Sequence, residues 1–379
     1  MSDFPRVSRS FRFPAAISAA LLASLAMDVG TPAQAETVQT VGTGERVVEA
    51  QLSAVHIVSA INGRAGLPDD KPKRALAADG VTLYAVLEAR IAGERVFFSD
   101  ADTVQLSGRK RVTRPMREAP TAALAWFKVE PAVEDMSNTE SGSFRYEPIS
   151  YREVRVQAWM LKTSVAADVQ PTLTPNRGKG LGTMRYKVIA YQGDHKVESP
   201  GAEARRKRAS GGLTDKVHRV SLRRDDTFLG VMTEMFGQPY IWASAGSTRG
   251  THQSERLEGS DCADLMVYGA RRKGYDIEYT WTGGMDKYTR VLARGEPRED
   301  GVYVDRKGKP LRFPEVGDML LFPRHIGALV EDRGVKGVLD TEDVMMHTFF
   351  ASPREQPVGD TAYADAPIEV IRWNRQLDR

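Results

Sequence analysis

The sequence holds one cysteine in 379 residues. A lone thiol excludes an internal disulfide framework, so in an oxidising compartment it is either buried and inert or kept for its reactivity. Long apolar runs are scarce as well. Beyond the N-terminus no stretch is long enough to cross a bilayer as a helix. The chain has no HExxH, no Walker pattern and no GxSxG, so no metal-hydrolase, phosphate-loop or serine-hydrolase motif is present and no cofactor is expected. An excess of one charge is missing too. Lys+Arg 53 against Asp+Glu 50 leaves +3, which gives no electrostatic case for a nucleic-acid partner. No repeat of fixed period occurs.

The N-terminus is distinctive. Arg6, Arg9 and Arg12 precede the apolar run "PAAISAALLASLAM", and small residues follow, ending in Ala33-Gln34-Ala35. That is the order of a secretory signal peptide with an A-x-A cleavage site, without twin Arg or a lipidatable cysteine. The expectation is a signal over residues 1–35 and an exported, periplasmic or secreted chain starting near Glu36. It would be soluble, without a transmembrane segment and with a net charge of about +2.

From about residue 45 to 200 the pattern is strand-like. "VTLYAVLEARI" (81–91) puts Val81, Leu83, Ala85, Leu87 and Ala89 on one face, and Gly93-Glu94 turns the chain into "RVFFSD". "EVRVQAWMLK" (153–162) and "TMRYKVIAYQ" (183–192) alternate as well, with a turn at Gly193-Asp194. Short strands between turn residues predict a β-sandwich-like all-β domain over 36–197, with loops at 132–147 and 168–183. Nothing in it carries chemistry, and it reads as a binding or spacer module. Residues 198–216 read as a linker, in which "RRKR" (205–208) is a solvated basic patch. A second domain is expected over 217–379. Its first helix lies in "DDTFLGVMTEMFG" (225–237), with Phe228, Val231, Met232 and Met235 on one face, Asp225 or Asp226 as N-cap and Gly237 as stop.

The thiol lies in "GSDCADLMVYGARRKG". Ser260 and Asp261 are good N-cap residues, Leu265, Met266, Gly269 and Ala270 make a helical stripe, and Gly274 fits the C′ position. Cys262 therefore falls in the first helical turn, where unpaired N–H groups and the helix dipole favour a thiolate and an oxyanion. The bland alternative is a small core cysteine. A nucleophile needs a base and a residue to orient it. His56, His195 and His218 precede the second domain. His325 stands before the strand "HIGALV" and His347 in the strand "VMMHTFF"; on neighbouring strands facing the helix start, the two would complete a Cys–His–His set. His252, in "RGTHQSERLEG", reads as solvent-exposed. Asp264 suits the helix start as a cap, or faces a cleft and binds a substrate amine. Trp281 lines the cleft or simply packs.

"GQPYIW", "SDCADL", "VGDMLLFPRHIGALV" and "MMHTFF" together resemble, in order and context, the NlpC-type cell-wall cysteine peptidases, over roughly residues 225–379. The resemblance implies a papain-like α+β fold, with Cys262 as nucleophile, His325 as general base and His347 as its orienting residue. Tyr240, with Trp242, Asp261 and Asp264, would bind substrate or complete the oxyanion site. The implied activity is hydrolysis of amide bonds in murein (peptidoglycan) stem peptides, without metal or organic cofactor, with the first domain docking on the cell wall or a protein partner. Cys262-Ala263-Asp264 stands where the family usually has Cys-Ser-Gly, and residues 245–259 look like an insertion. An acyltransferase or lipid amidase on the same scaffold, and a catalytically silent wall-binding protein, are the competing expectations.

Overall fold

Strand alternation accounts for the first half of the computed structural model. The structure describes residues 50–120, 122–140, 143–144, 147–174, 178–206, 212–246 and 250–377, so the expected signal segment lies outside the described residues. The strands met first are β1 (Gln51–Ile61), β2 (Lys73–Leu76), β3 (Val81–Ile91) and β4 (Glu94–Ser99). After them come β5 (Ala123–Pro131), β6 (Asp135–Ser137), β7 (Tyr151–Arg155), β8 (Gly182–Gln192) and β9 (His218–Arg223). β1, β3 and β4 pair in one antiparallel sheet, while a second sheet runs β7-β5-β8-β9-β2. Leu83, Leu87 and Phe98 from the first share one hydrophobic cluster with Trp126, Met184, Tyr186 and Val220 from the second. The two sheets therefore pack face to face, as half-apolar sheets must to bury their inner faces.

The structure revises several boundaries. β7 ends at Arg155 and a 3-10 turn over Gln157–Trp159 follows, so "EVRVQAWMLK" is a strand only in its first part. Indole Nε1 of Trp126 donates to the Lys162 carbonyl at 2.7 Å and draws that turn back over the core. The polar loop expected at 132–147 contains β6. The segment 198–216 is also anchored: Leu213 is buried, and Leu213 and Val217 join Val129, Ile149 and Ile241 in one cluster. Arg205 donates to the Ile149 carbonyl at 2.9 Å and Arg206 pairs with Asp215 at 3.0 Å, so these two arginines of "RRKR" are not free in solvent.

The second half opens with α1 (Phe228–Met232) and β10 (Tyr240–Trp242), followed by α2 (Cys262–Arg272). Then come β11 (Thr289–Pro297), β12 (Met319–Phe322), β13 (His325–Glu331), β14 (Val344–His347), β15 (Arg354–Pro357) and β16 (Ile368–Trp373). Its sheet runs β11-β16-β12-β13-β14-β15, with Tyr303–Val304 outside β11. Alternation along these strands gives two buried faces. Met319, Ile326, Ala328, Met346 and Ile371 pack against Leu265 and Met266 of α2, while Leu320, Phe322, Leu329, Met345 and Val370 fill the other side. The fold class is thus α+β, mostly strand with few helices.

Thr227, not Asp225 or Asp226, caps α1: its hydroxyl accepts from the Gly230 N–H at 3.0 Å, and Asp225 instead accepts from the Thr227 N–H at 2.8 Å. The helix tightens into a 3-10 turn at Thr233–Met235 and stops at Gly237, whose φ of 77° suits glycine. α2 begins and ends as its sequence demands, with Asp261 as N-cap and Gly274 at φ 80° beyond the last turn.

The halves are stitched together by hydrogen bonds. Thr183 of β8 donates its hydroxyl to the Glu234 carbonyl at 2.7 Å, and Arg185 donates to the Leu257 carbonyl at 3.0 Å. Residues 48–379 accordingly form one compact unit. Among the described residues no helix is long and apolar enough to cross a membrane.

Candidate active site

α2 positions the thiol. Asp261 Oδ1 accepts from the Asp264 N–H at 2.9 Å, which closes the first turn and sets Cys262 as its first helical residue. The stripe behind it is fully covered, with Leu265 and Met266 at 0% exposure. Losing either side chain to alanine would cost about 2–5 kcal/mol, which is the scale on which the helix is held in place. On the facing sheet, His325 is the first residue of β13 and His347 the last of β14. β13 pairs antiparallel with β14, and the two imidazoles meet: His325 Nε2 lies 2.9 Å from His347 Nδ1. The backbone N–H groups of Ile326 and Ala263 face the Cys262 sulfur and favour its anion. The two sequence-expected histidines are thus in contact with each other, and the N–H of Ile326, the residue after His325, faces the Cys262 sulfur.

The proton inventory follows from the orphaned atoms. His325 Nδ1 and His347 Nε2 are buried without a hydrogen-bond partner. If Nδ1 of His325 is to accept a proton, its Nε2 must carry hydrogen and donate to Nδ1 of His347. His347 then keeps its own hydrogen on Nε2. Both rings are neutral at rest. Burial, then His347 and Arg354, push His325 well below the usual histidine range. Burial, then Arg354, bring His347 down to about 4.

The thiol differs from the sequence expectation. The helix start alone favours a thiolate, yet burial and then the carboxyl of Asp261 push the Cys262 thiol up, against the N–H groups of Ile326 and Ala263. Desolvation outweighs the helix terminus because Cys262 is 4% exposed. The resting pair is thiol and neutral imidazole.

Covering that pair is an aromatic wall that the sequence reading passed over. Tyr240 lies 5.5 Å from Phe350 and 6.1 Å from Phe349 between ring centroids. Phe349 in turn sits 5.2 Å from His325. Phe350 is 59% exposed and takes a left-handed φ of 49°. The pair Phe349-Phe350 was visible in "MMHTFF", directly after His347. Tyr363 has no local motif, and only the return of the chain brings it here. Tyr240, expected at the oxyanion site, is buried with an unpartnered hydroxyl, and burial, then Cys262 and Asp261, raise its pKa.

The remaining expected residues divide. Asp264 is buried, accepts from Ser244 Oγ at 2.5 Å, and has its pKa raised by burial and then by Asp261. It faces Ser244 and Asp261 rather than an open cleft. Ser244 Oγ also accepts from the Asp261 N–H at 3.1 Å, so one hydroxyl joins the Asp264 carboxyl to the backbone of the N-cap residue. Trp242 is 40% exposed at the end of β10, and Trp281 is 74% exposed, so Trp281 does not pack in the core. His252 is not solvent-exposed as its polar neighbours suggested. It stacks on Tyr279 with centroids 3.6 Å apart and planes 3° apart, and its Nε2 lies 3.1 Å from the Ser244 carbonyl. Burial takes its pKa down to about 3, so it is neutral beside Asp264. The signal that could have flagged it was the apolar Tyr279 in "EYTW", a partner far along the chain.

Among the described residues no group of three or more His, Cys, Asp or Glu side chains is arranged to hold a metal ion. No protein-family model, no curated protein and no solved structure matches the chain.

Proposed function

We propose that the protein is an exported cysteine amidase whose papain-like second half hydrolyses amide bonds in murein stem peptides. The observation that carries the catalytic part is the free Nδ1 of His325, held by an Nε2 contact of 2.9 Å to His347, on the strand whose next N–H faces the Cys262 sulfur. The murein part rests on the order of the Tyr240, Cys262, His325 and His347 elements, which resembles the NlpC-type peptidases.

The chemistry follows from the resting protonation. As Sγ of Cys262 attacks the substrate carbonyl, its proton passes to Nδ1 of His325, which becomes imidazolium. The Ala263 and Ile326 N–H groups, which favour an anion at the sulfur, and the hydroxyl of Tyr240 are the donors available to the oxyanion. The imidazolium then protonates the leaving amine, the C–N bond breaks, and water activated by the neutral imidazole releases the acyl group and returns the thiol. Because the thiol is only 4% exposed, substrate entry requires the residues around it to move.

The test is mass spectrometry of soluble products from purified murein, incubated with the wild type and with Cys262→Ala. Fragments of stem peptide produced by the wild type alone are expected, and their masses identify the bond. Equal products from both proteins, together with a thiol that alkylates no faster than a model thiol, would replace this reading with a silent wall-binding protein. Fast alkylation without murein products would keep the nucleophile and move the substrate to a lipid or another acyl donor.

A further inference from the structure

Beyond its Nε2 contact with His347, the His325 imidazole is enclosed by aromatic rings. Tyr363 lies flat against His325, with ring centroids 4.7 Å apart and planes 10° apart. Phe322 at 6.0 Å and Phe349 at 5.2 Å close other sides of the ring. The same two rings brace Tyr363, each at 5.4 Å. Its backbone is tied as well: the Tyr363 N–H donates to Thr361 Oγ1 at 3.2 Å, and the Ala366 N–H donates to the Tyr363 carbonyl at 3.0 Å. The phenol is thus as fixed as the strand residues it covers.

A tyrosine face is the negative pole of the ring quadrupole and attracts a cation within about 6 Å of its centroid. Neutral imidazole gains little from it; imidazolium gains more. The stack therefore favours a charge that exists only after the thiol proton has moved, which is the kind of contact that accelerates a reaction. The other groups facing the two stacked rings act as follows. His347 and Arg354 oppose the imidazolium, while Cys262 and Arg324 act in opposite directions on the Tyr363 hydroxyl.

We propose that Tyr363 is a positioning residue for the base, its ring face aligning the His325 imidazole and stabilising the imidazolium formed when Nδ1 takes the Cys262 proton. This rests on the catalytic reading of Cys262 and His325.

The experiment replaces Tyr363 with phenylalanine and, by unnatural amino-acid incorporation, with pentafluorophenylalanine in the full chain. Both keep the ring and the packing; the second reverses the quadrupole. The rate of Cys262 alkylation by iodoacetamide is then measured from acidic to mildly basic pH. With pentafluorophenylalanine, the plateau rate should fall about tenfold and the acidic limb should move about one unit to lower pH. Tyr363→Phe, which keeps the ring face and loses only the hydroxyl, is the reference against which the pentafluorophenylalanine profile is read. Identical profiles for the two variants would overturn the proposal, whether both match the wild type or both fall, since the ring face would then carry no effect. A wild-type thiol that reacts no faster than a model thiol, with no acidic limb, would instead overturn the catalytic reading itself.

Discussion

Asp261→Asn should separate the two duties of the residue before Cys262. Asparagine caps a helix about as well as aspartate, so the 2.9 Å bond accepted from the Asp264 N–H survives through Oδ1. What disappears is a charge. Burial raises the Asp261 carboxyl from its ordinary 3.8 to about 6, and the buried Asp264 carboxyl beside it is raised as well. The folded state therefore binds this proton more tightly than the unfolded chain. That stabilisation is complete below about pH 3.8 and is lost as pH rises through about 6. In the wild type, urea unfolding should show less stability at pH 7 than at pH 3.5, on the order of a few kcal/mol for the two buried carboxyls together, and Asp261→Asn should remove part of that slope. The same substitution withdraws the largest charge acting on the Cys262 sulfur, so its thiol should titrate lower and alkylate faster at pH 8. Two independent assays thus read one charge. An unchanged pH slope of stability, together with an unchanged thiol titration, would refute the electrostatic account of this helix start.

Other expectations are more local. Gly269→Ala would put a Cβ 2.6 Å from Met232 Cγ and 2.7 Å from Phe228 Cε2, so thermal denaturation should report a loss of about 1–2 kcal/mol despite the better helix propensity of alanine. His347→Ala should leave Nε2 of His325 buried without its partner and lower kcat by about tenfold to a hundredfold with little change in KM, while His347→Gln should recover part of the loss. Phe350→Gly relieves a left-handed φ of 49° and uncovers Tyr240, so iodoacetamide should reach Cys262 several-fold faster than in the wild type.

What could be read from the sequence was what depends on near neighbours. The start and stop of α2 follow from Asp261 and Gly274, and β3 and β13 follow from their apolar residues. The placement of Cys262 on a helix start with His325 and His347 on adjacent strands was legible for the same reason: each residue lies at the end of an element whose pattern is local. The ionisation state of the thiol was not. The helix terminus is a local term, but the desolvation that exceeds it comes from side chains on β13 and from the loops around it. His252 was misjudged because its burial is supplied by Tyr279, and Tyr363 was missed because a stacking partner 38 residues away leaves no periodic trace. The strand β6 was hidden in a polar loop because its pairing is with β10, a hundred residues on, rather than with a neighbour in sequence.

That pairing bears on how the protein can be divided. Asp135, Met136 and Ser137 run parallel to Tyr240, Ile241 and Trp242, and the Tyr240 N–H donates to the Glu134 carbonyl at 2.8 Å. The other side of Tyr240 bridges Ser260, two residues before the thiol. A gene fragment beginning near residue 217 would code for Cys262, His325 and His347, yet would lack the strand that pairs with Tyr240. The second half is consequently not a transplantable cassette. In a fusion or a recombined gene, residues 134–137 would have to travel with it or be replaced by another edge of the same register.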